Sequence, residues 1–197
     1  MLRALLLVVD PSRTWEAIKN DHHSVVRLTL QLVIPLLLVT SVGEALGFMR
    51  LGVEHGRLTE TVTEAPLELA VRYEAVQTVF TLFIIYGGSA LLKVIGSSFH
   101  RRHSYVECFT TLAYSIAPLL LLRLLDGVPA INTWVCYGIG IFLTISLLYR
   151  GIPFIMRPDP SNALGLFMLC TLLLLVTTGL SHFVAQMVLE EKFLAAR

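Results

Sequence analysis

Charged residues are scarce in this chain of 197 residues. Asp, Glu, Lys and Arg make up 15% of it, whereas a soluble domain carries about 25%. Hydrophobic residues reach 55% and the mean hydropathy is +0.74, which is more apolar surface than a soluble core of this size can enclose. The net charge of +1, without a clustered basic face, argues against a nucleic-acid-binding protein.

Cysteines and catalytic motifs are also sparse. Cys108, Cys136 and Cys170 lie inside apolar runs without CxxC spacing, which argues against a disulfide framework or a thiolate metal site. No HExxH, GxSxG, P-loop or dinucleotide fingerprint occurs. The sequence therefore predicts a protein without enzymatic activity, metal or cofactor.

Five uncharged apolar runs occupy most of the chain. They cover residues 28–43, 75–92, 108–122, 127–149 and 160–189. A helix of roughly 20 apolar residues crosses the roughly 30 Å hydrocarbon core of a membrane. The last two runs reach that length, and the other three reach it if a flanking charged residue snorkels or lies at the interface. We predict an all-α, polytopic bundle of five transmembrane helices.

The segment before the first run predicts a short interfacial helix. Asp10 can cap the free amides of a helix that begins at Pro11, and Trp15 and Ile18 then share one face. Such a helix either lies on the inner membrane surface or packs against the loops of the bundle. The predicted organisation is a cytoplasmic or interfacial segment 1–24, a membrane domain 25–190 and a short tail 191–197.

Lys and Arg are distributed unevenly between the two predicted faces. Nine lie on the face that holds the N-terminus and six on the opposite face. Cytoplasmic loops collect Lys and Arg, so the N-terminus is predicted to be cytoplasmic and, after five spans, the C-terminus to be outside.

Several residues predict breaks in or at the ends of these helices. Pro35 interrupts the first run and Pro118 the third, and each removes a backbone hydrogen bond. Gly151 and Pro153 end the fourth span. In the outer segment 50–72, alternating threonines fit either a short strand or, by preference, an irregular linker before a helix near Pro66.

Three segments occur in an order and spacing typical of one family. They are Asp10-Pro11 with Trp15 and Ile18, then SYVECF at 104–109 with AYSIAP at 113–118, then LYRGIP at 148–153 with NALG at 162–165. In these segments the chain resembles the Ypt-interacting-protein family, the YIP domain of small five-span membrane proteins, and its short bacterial branch. The resemblance implies a five-helix fold in the bacterial inner membrane.

The resemblance also bears on partners. Eukaryotic members of the family carry a long soluble N-terminal region that is implicated in binding Rab-type GTPases and in vesicle traffic. Few residues precede the first span here, so a Rab-type GTPase is not expected as a partner.

Ionisable residues near span ends are the candidate site residues, because such residues are costly in a membrane and are often functional. Glu107 opens the third span, where it either pairs with a cation or stabilises the positive helix start. The predicted cations of this partner, lipid or intramembrane polar site are Lys93, Arg101, Arg102 and Arg150.

Other polar residues of the spans have simpler predicted roles. Glu74 and Arg123 are expected to snorkel at the interface, with Asp126 as the partner of Arg123. His182 and Gln186 lie four apart on one face of the last span, where an interhelical hydrogen bond is expected.

These features favour a non-catalytic adaptor or organiser. It would bind membrane lipid, anionic lipid in particular, and another membrane protein or a second copy of itself. The alternative is a small transporter or channel with a site between the Pro-broken helices. The position of the charges near span ends, rather than at mid-span, weighs against that alternative.

Overall fold

The computed structural model describes residues 2–21, 24–55, 61–63, 65–98 and 103–195. These ranges hold nine α-helices and two short strands. The helices are α1 (Leu2–Val9), α2 (Pro11–Lys19), α3 (Val25–Leu28), α4 (Ile34–Arg50), α5 (Leu67–Ser98), α6 (Tyr105–Ser115), α7 (Ala117–Leu122), α8 (Thr133–Gly151) and α9 (Pro160–Ala195). The strands are β1 (Val53–His55) and β2 (Thr61–Thr63).

Five helical stretches are long and apolar enough to cross a membrane, which confirms the predicted all-α polytopic bundle. They are Val25–Arg50, Leu67–Ser97, Tyr105–Leu125, Thr133–Met156 and Ser161–Leu189. The most apolar part of the third stretch is 78% buried inside the protein, against 22–39% for the other four. The third span is therefore the centre of the bundle, and the other four expose more of their apolar surface to lipid.

The helices are irregular next to the prolines. A π-helical stretch, Thr29–Val33, joins α3 to α4, in which Pro35 is the second residue. The central span is divided at Ile116, where α6 ends and α7 begins with Ala117 and Pro118. These irregularities follow from the missing amide hydrogen of proline, which leaves a carbonyl one turn earlier without its helical partner.

The fourth span ends in the same way. The helix α8 passes at Gly151 into a second π-helical stretch, Ile152–Met156, which contains Pro153. Arg157 then adopts a left-handed conformation with φ of 48° and closes the stretch. The chain leaves the span there and turns into α9.

The two strands form an antiparallel hairpin that connects the first and second spans. Val53 lies opposite Thr63, and His55 opposite Thr61. The expected irregular linker is therefore wrong, and the alternative of a short strand is confirmed. Threonine and valine are β-branched and favour an extended backbone, and pairing with β1 supplies the hydrogen bonds that a lone strand lacks. The helix α5 begins directly after Pro66, as predicted.

The N-terminal helices pack against the bundle. The Asp10 side chain accepts a hydrogen bond from the Arg13 amide at 3.2 Å and Pro11 is the first residue of α2, which confirms the predicted helix start. Trp15 and Ile18 are fully buried in the main hydrophobic core, and the Trp15 ring lies edge-on to that of Tyr114 at 6.2 Å. The helix α2 therefore packs against helices α6 and α8, and its position at the membrane surface stays a prediction.

The contact between Trp15 and Gly151 generates a prediction. A Cβ atom at Gly151 would lie 2.6 Å from the Trp15 ring, so Gly151→Ala should lower the free energy of unfolding by about 1–3 kcal/mol through overpacking. Gly138 is the matched control, because a Cβ there meets nothing within 4 Å. Thermal unfolding in detergent should show a lower Tm for Gly151→Ala and an equal or higher Tm for Gly138→Ala. Equal Tm values for the two variants would contradict this packing.

Candidate functional site

A buried ion cluster joins the first three spans near one end of the bundle. One nitrogen of Arg123, Nη2, donates to Glu44 Oε2 at 2.7 Å and to Glu74 Oε2 at 3.0 Å. Arg123 is 7% exposed, Glu74 8% and Glu44 not at all. Ion pairs that lie so far from solvent are costly to desolvate and strongly coupled.

Each member of the cluster comes from a different element. Glu44 projects from α4 and Glu74 from α5, while Arg123 begins the 3-10 turn Arg123–Leu125 that follows α7. Glycine allows the close approach that this requires: a Cβ atom at Gly47 would lie 2.5 Å from the carbonyl oxygen of Gly127. The first span therefore packs backbone to backbone on the turn that carries Arg123.

A small cavity with both apolar and polar side chains on its wall adjoins the cluster. Its volume is about 30 Å³, enough for one or two water molecules. Several side chains on its wall keep a polar atom with no hydrogen-bond partner among the described residues, namely Arg123 (Nε and Nη1), Asp126 (Oδ1) and His182 (Nε2). Gln77, Thr178 and Ser181 add further polar groups to the wall. The cavity is thus suited to water or to a ligand of similar size.

Asp126 lies beside the cavity, just after the 3-10 turn, and interacts with the side chains of Thr133 and Cys136. Burial raises the pKa of Asp126 to about 7, and the nearby Glu44 carboxylate adds to that shift. Asp126 therefore titrates close to neutral pH.

His182 borders the cavity from α9 and is enclosed by aromatic rings. It stacks on Tyr137 at 5.2 Å and meets Trp134 edge-on at 4.7 Å. The interhelical hydrogen bond expected for this pair of residues is made by Gln186, whose Nε2 lies 3.5 Å from Thr133 Oγ1 on α8. His182 itself is held by ring contacts.

The cluster corrects the expectation that Glu74 and Arg123 snorkel. Both side chains point into the protein, and Arg123 pairs with Glu44 and Glu74 rather than with Asp126. The reason is geometric, because the ends of three packed helices place two acceptors around one guanidinium, and this shields the charges from lipid.

Glu107 lies at the opposite end of the central span. Its carboxylate accepts a hydrogen bond from the Ser104 amide at 2.8 Å, and the Ser104 hydroxyl accepts one from the Glu107 amide at 3.2 Å. The two residues form a capping box that begins α6. The helix-start alternative therefore has a direct structural basis in this chain.

The remaining predicted cations are not gathered into one site. Arg150 is exposed and donates to the Ser12 hydroxyl at 3.2 Å. Lys93 lines an open groove of about 450 Å³ between the end of α5 and the start of α6. Arg101 and Arg102 lie outside the described residues. A role for these residues and for Glu107 in binding stays a prediction.

The sequence carried one signal for the cluster. Glu44, Glu74 and Arg123 each stand directly at the edge of an apolar run, next to residues 43, 75 and 122. An ionisable residue in that position can either snorkel or pair inside the protein. The sequence does not decide between the two, because 49 and 79 residues separate Arg123 from its partners.

Comparison with known proteins places this five-span bundle in a family. The family model of the Yip1 domain matches residues 5–182, which is most of the chain, and the protein belongs to that family. This confirms the resemblance to the YIP domain. No curated protein and no solved structure matches the chain.

Removal of the central cation should destabilise the bundle. Arg123→Gln leaves Glu44 and Glu74 buried side by side without a counter-charge, at an expected cost of about 3–5 kcal/mol in the free energy of unfolding. Arg72→Gln is the control, since Arg72 is exposed and its ion pair with Glu68 contributes little. Thermal unfolding in detergent measures both. A Tm for Arg123→Gln as high as that of Arg72→Gln would show that the cluster does not hold the spans together.

Asp126 should make stability depend on pH. Because its pKa is raised in the folded protein, the folded state keeps a proton that the unfolded chain has already released, and stability falls as pH rises from about 4 through 7. Asp126→Asn cannot lose this proton, so its Tm should exceed that of the wild type by a margin that grows between pH 5 and pH 8. A margin that is constant with pH would contradict the raised pKa.

Proposed function

We propose that this Yip1-domain protein is a non-catalytic membrane organiser that binds anionic lipid at its predicted cytoplasmic face. The observation that carries the proposal is the groove between α5 and α6, which Lys93 lines together with apolar side chains. A phospholipid has the matching construction, with an anionic phosphate next to apolar chains.

The shape of the groove supports lipid as the occupant. Its volume of about 450 Å³ falls within the usual size of a small-molecule site. Ala90 and Val94 offer an apolar wall, and the Tyr105 hydroxyl is held by a hydrogen bond to the Tyr86 carbonyl at 3.1 Å. Lys93 is exposed and can reach an incoming phosphate.

The charge of the surrounding sequence supports an anionic headgroup. Arg101 and Arg102 belong to the short connection between α5 and α6, on the face that carries nine of the 15 Lys and Arg residues. Each basic residue close to an anionic membrane surface contributes about 1 kcal/mol to binding. On this proposal the N-terminus is cytoplasmic and the membrane is the bacterial inner membrane.

The transport alternative has weaker support. A transport site between broken helices would lie next to a helix break. The cavity beside Arg123 does lie next to the break at Pro118, because Ile116 and Leu119 line this cavity. Its volume of about 30 Å³ admits water or a small ion and excludes an organic solute. The larger opening is the groove at Lys93, which favours the organiser.

The proposal predicts selective retention of anionic lipid. The protein is reconstituted in discs that contain phosphatidylglycerol as a minor component in phosphatidylcholine, and native mass spectrometry counts the lipids that remain bound after release. Phosphatidylglycerol should be retained in excess. Lys93→Gln should lower this retention about five-fold, the equivalent of about 1 kcal/mol.

The matched control is Arg72→Gln. Arg72 is also exposed but lies at the start of α5, on the face predicted to be outside, and its loss should leave retention unchanged. Equal retention of the two lipids by the wild type, or equal losses in both variants, would contradict the groove as the binding site. A protein recovered in stoichiometric amount after extraction with an encircling polymer, in place of anionic lipid, would redirect the proposal to a protein adaptor.

A further inference from the structure

The two carboxyl groups of the buried cluster share one cation. Glu44 and Glu74 both accept from Nη2 of Arg123, and in each the second oxygen, Oε1, is buried with no hydrogen-bond partner among the described residues. The two carboxyl groups are also direct side-chain neighbours. One guanidinium offsets one negative charge, so two ionised carboxylates would leave a buried excess of charge.

The groups around the pair supply no second permanent cation. Tyr73 of α5 and Asp126 of the turn after α7 interact with Glu44, while Cys136 of α8 and His182 of α9 line the cavity beside Arg123. Tyr73 and Cys136 are acids rather than bases, and Asp126 adds a carboxyl. Among the described residues that are buried, Arg123 is the one Lys or Arg.

His182 does not replace the missing cation. It is 4% exposed, its ring contacts those of Trp134 and Tyr137, and it lines the same cavity as Arg123. Among the described residues, the ion pairs of Glu44 and Glu74 are made with Arg123 and not with His182.

A metal ion does not suit the pair either. The described residues contain no group of three His, Cys, Asp or Glu placed to hold one, and a second cation beside Arg123 would be repelled. A proton bound to the pair would balance the charge, because it removes one negative charge. It would also supply a donor, because it turns one acceptor oxygen into a hydroxyl that can donate to the neighbouring carboxylate.

We propose that Glu44 and Glu74 form a proton-binding site that holds one proton between them at neutral pH, with Arg123 balancing the remaining carboxylate. The site goes beyond lipid binding and lies at the other end of the bundle from the groove at Lys93. Arg123 has one side on the pair and the other on the cavity. The cavity, which has room for water, is therefore in contact with the cation of the cluster.

The test is infrared spectroscopy of the full chain in a maltoside detergent, which has no ester carbonyl. A protonated carboxyl has a C=O stretch separate from the bands of carboxylates and of the backbone amides. All variants are made in the Asp126→Asn protein, because this substitution removes the partly buried carboxyl group next to the pair. Spectra are taken at pH 8, where exposed carboxyl groups are ionised.

The expected result is one protonated carboxyl per chain in the Asp126→Asn protein. Adding Glu74→Gln should abolish the band, and so should adding Glu44→Gln, because the carboxyl that is left ionises against Arg123. Adding Glu16→Gln, an exposed carboxylate of α2, should leave the band unchanged.

Two results would overturn the proposal. Absence of the band in the Asp126→Asn protein would mean that both carboxyl groups are ionised, and a band that persists at half intensity after either substitution would mean that both are protonated. Circular dichroism checks that each variant folds. If a Gln variant does not fold, the intensity of the band in the Asp126→Asn protein still decides, since one carboxyl per chain supports the site and none or two contradict it.

Discussion

The guanidinium of Arg123 constrains three helices at once. Its contacts with Glu44 and Glu74 fix the depth and rotation of the first two spans against the end of the central one. Where water is absent, a charge that loses its partner cannot turn to solvent, so the three helix ends must stay in register. The close contact of Gly47 with Gly127 belongs to the same constraint, because a side chain there would push α4 away from the turn that carries Arg123.

The other end of the bundle is organised by packing and capping. Trp15 enters the core against Gly151 and Tyr114, so the short helix α2 is part of the folded bundle. The capping box of Ser104 and Glu107 fixes the start of the central span. Lys93 and its groove lie at this end, where Lys93 is exposed and, among the described residues, makes no ion pair. One end therefore carries an exposed groove and the other holds buried charge.

Much of the architecture could be predicted because it depends on local sequence. Apolar runs predict spans wherever they are long enough, and the cap at Asp10 and Pro11 requires only neighbouring residues. The three family-like segments, which occur in the order typical of the family, supported the prediction of five spans. The prediction of an irregular linker before α5 was wrong because the strand at 61–63 is stable only when it pairs with 53–55. Nothing in either segment alone specifies that partner.

The sequence by itself determined that this protein spans a membrane five times, where its helices break and to which family it belongs, since these depend on composition, proline and motif order along the chain. Only the tertiary structure decided the fate of the charges at the span ends. Glu107 caps its own helix, whereas Arg123 meets partners 49 and 79 residues away. Both kinds of residue look alike beside an apolar run, and they differ only in what the packed helices bring within reach.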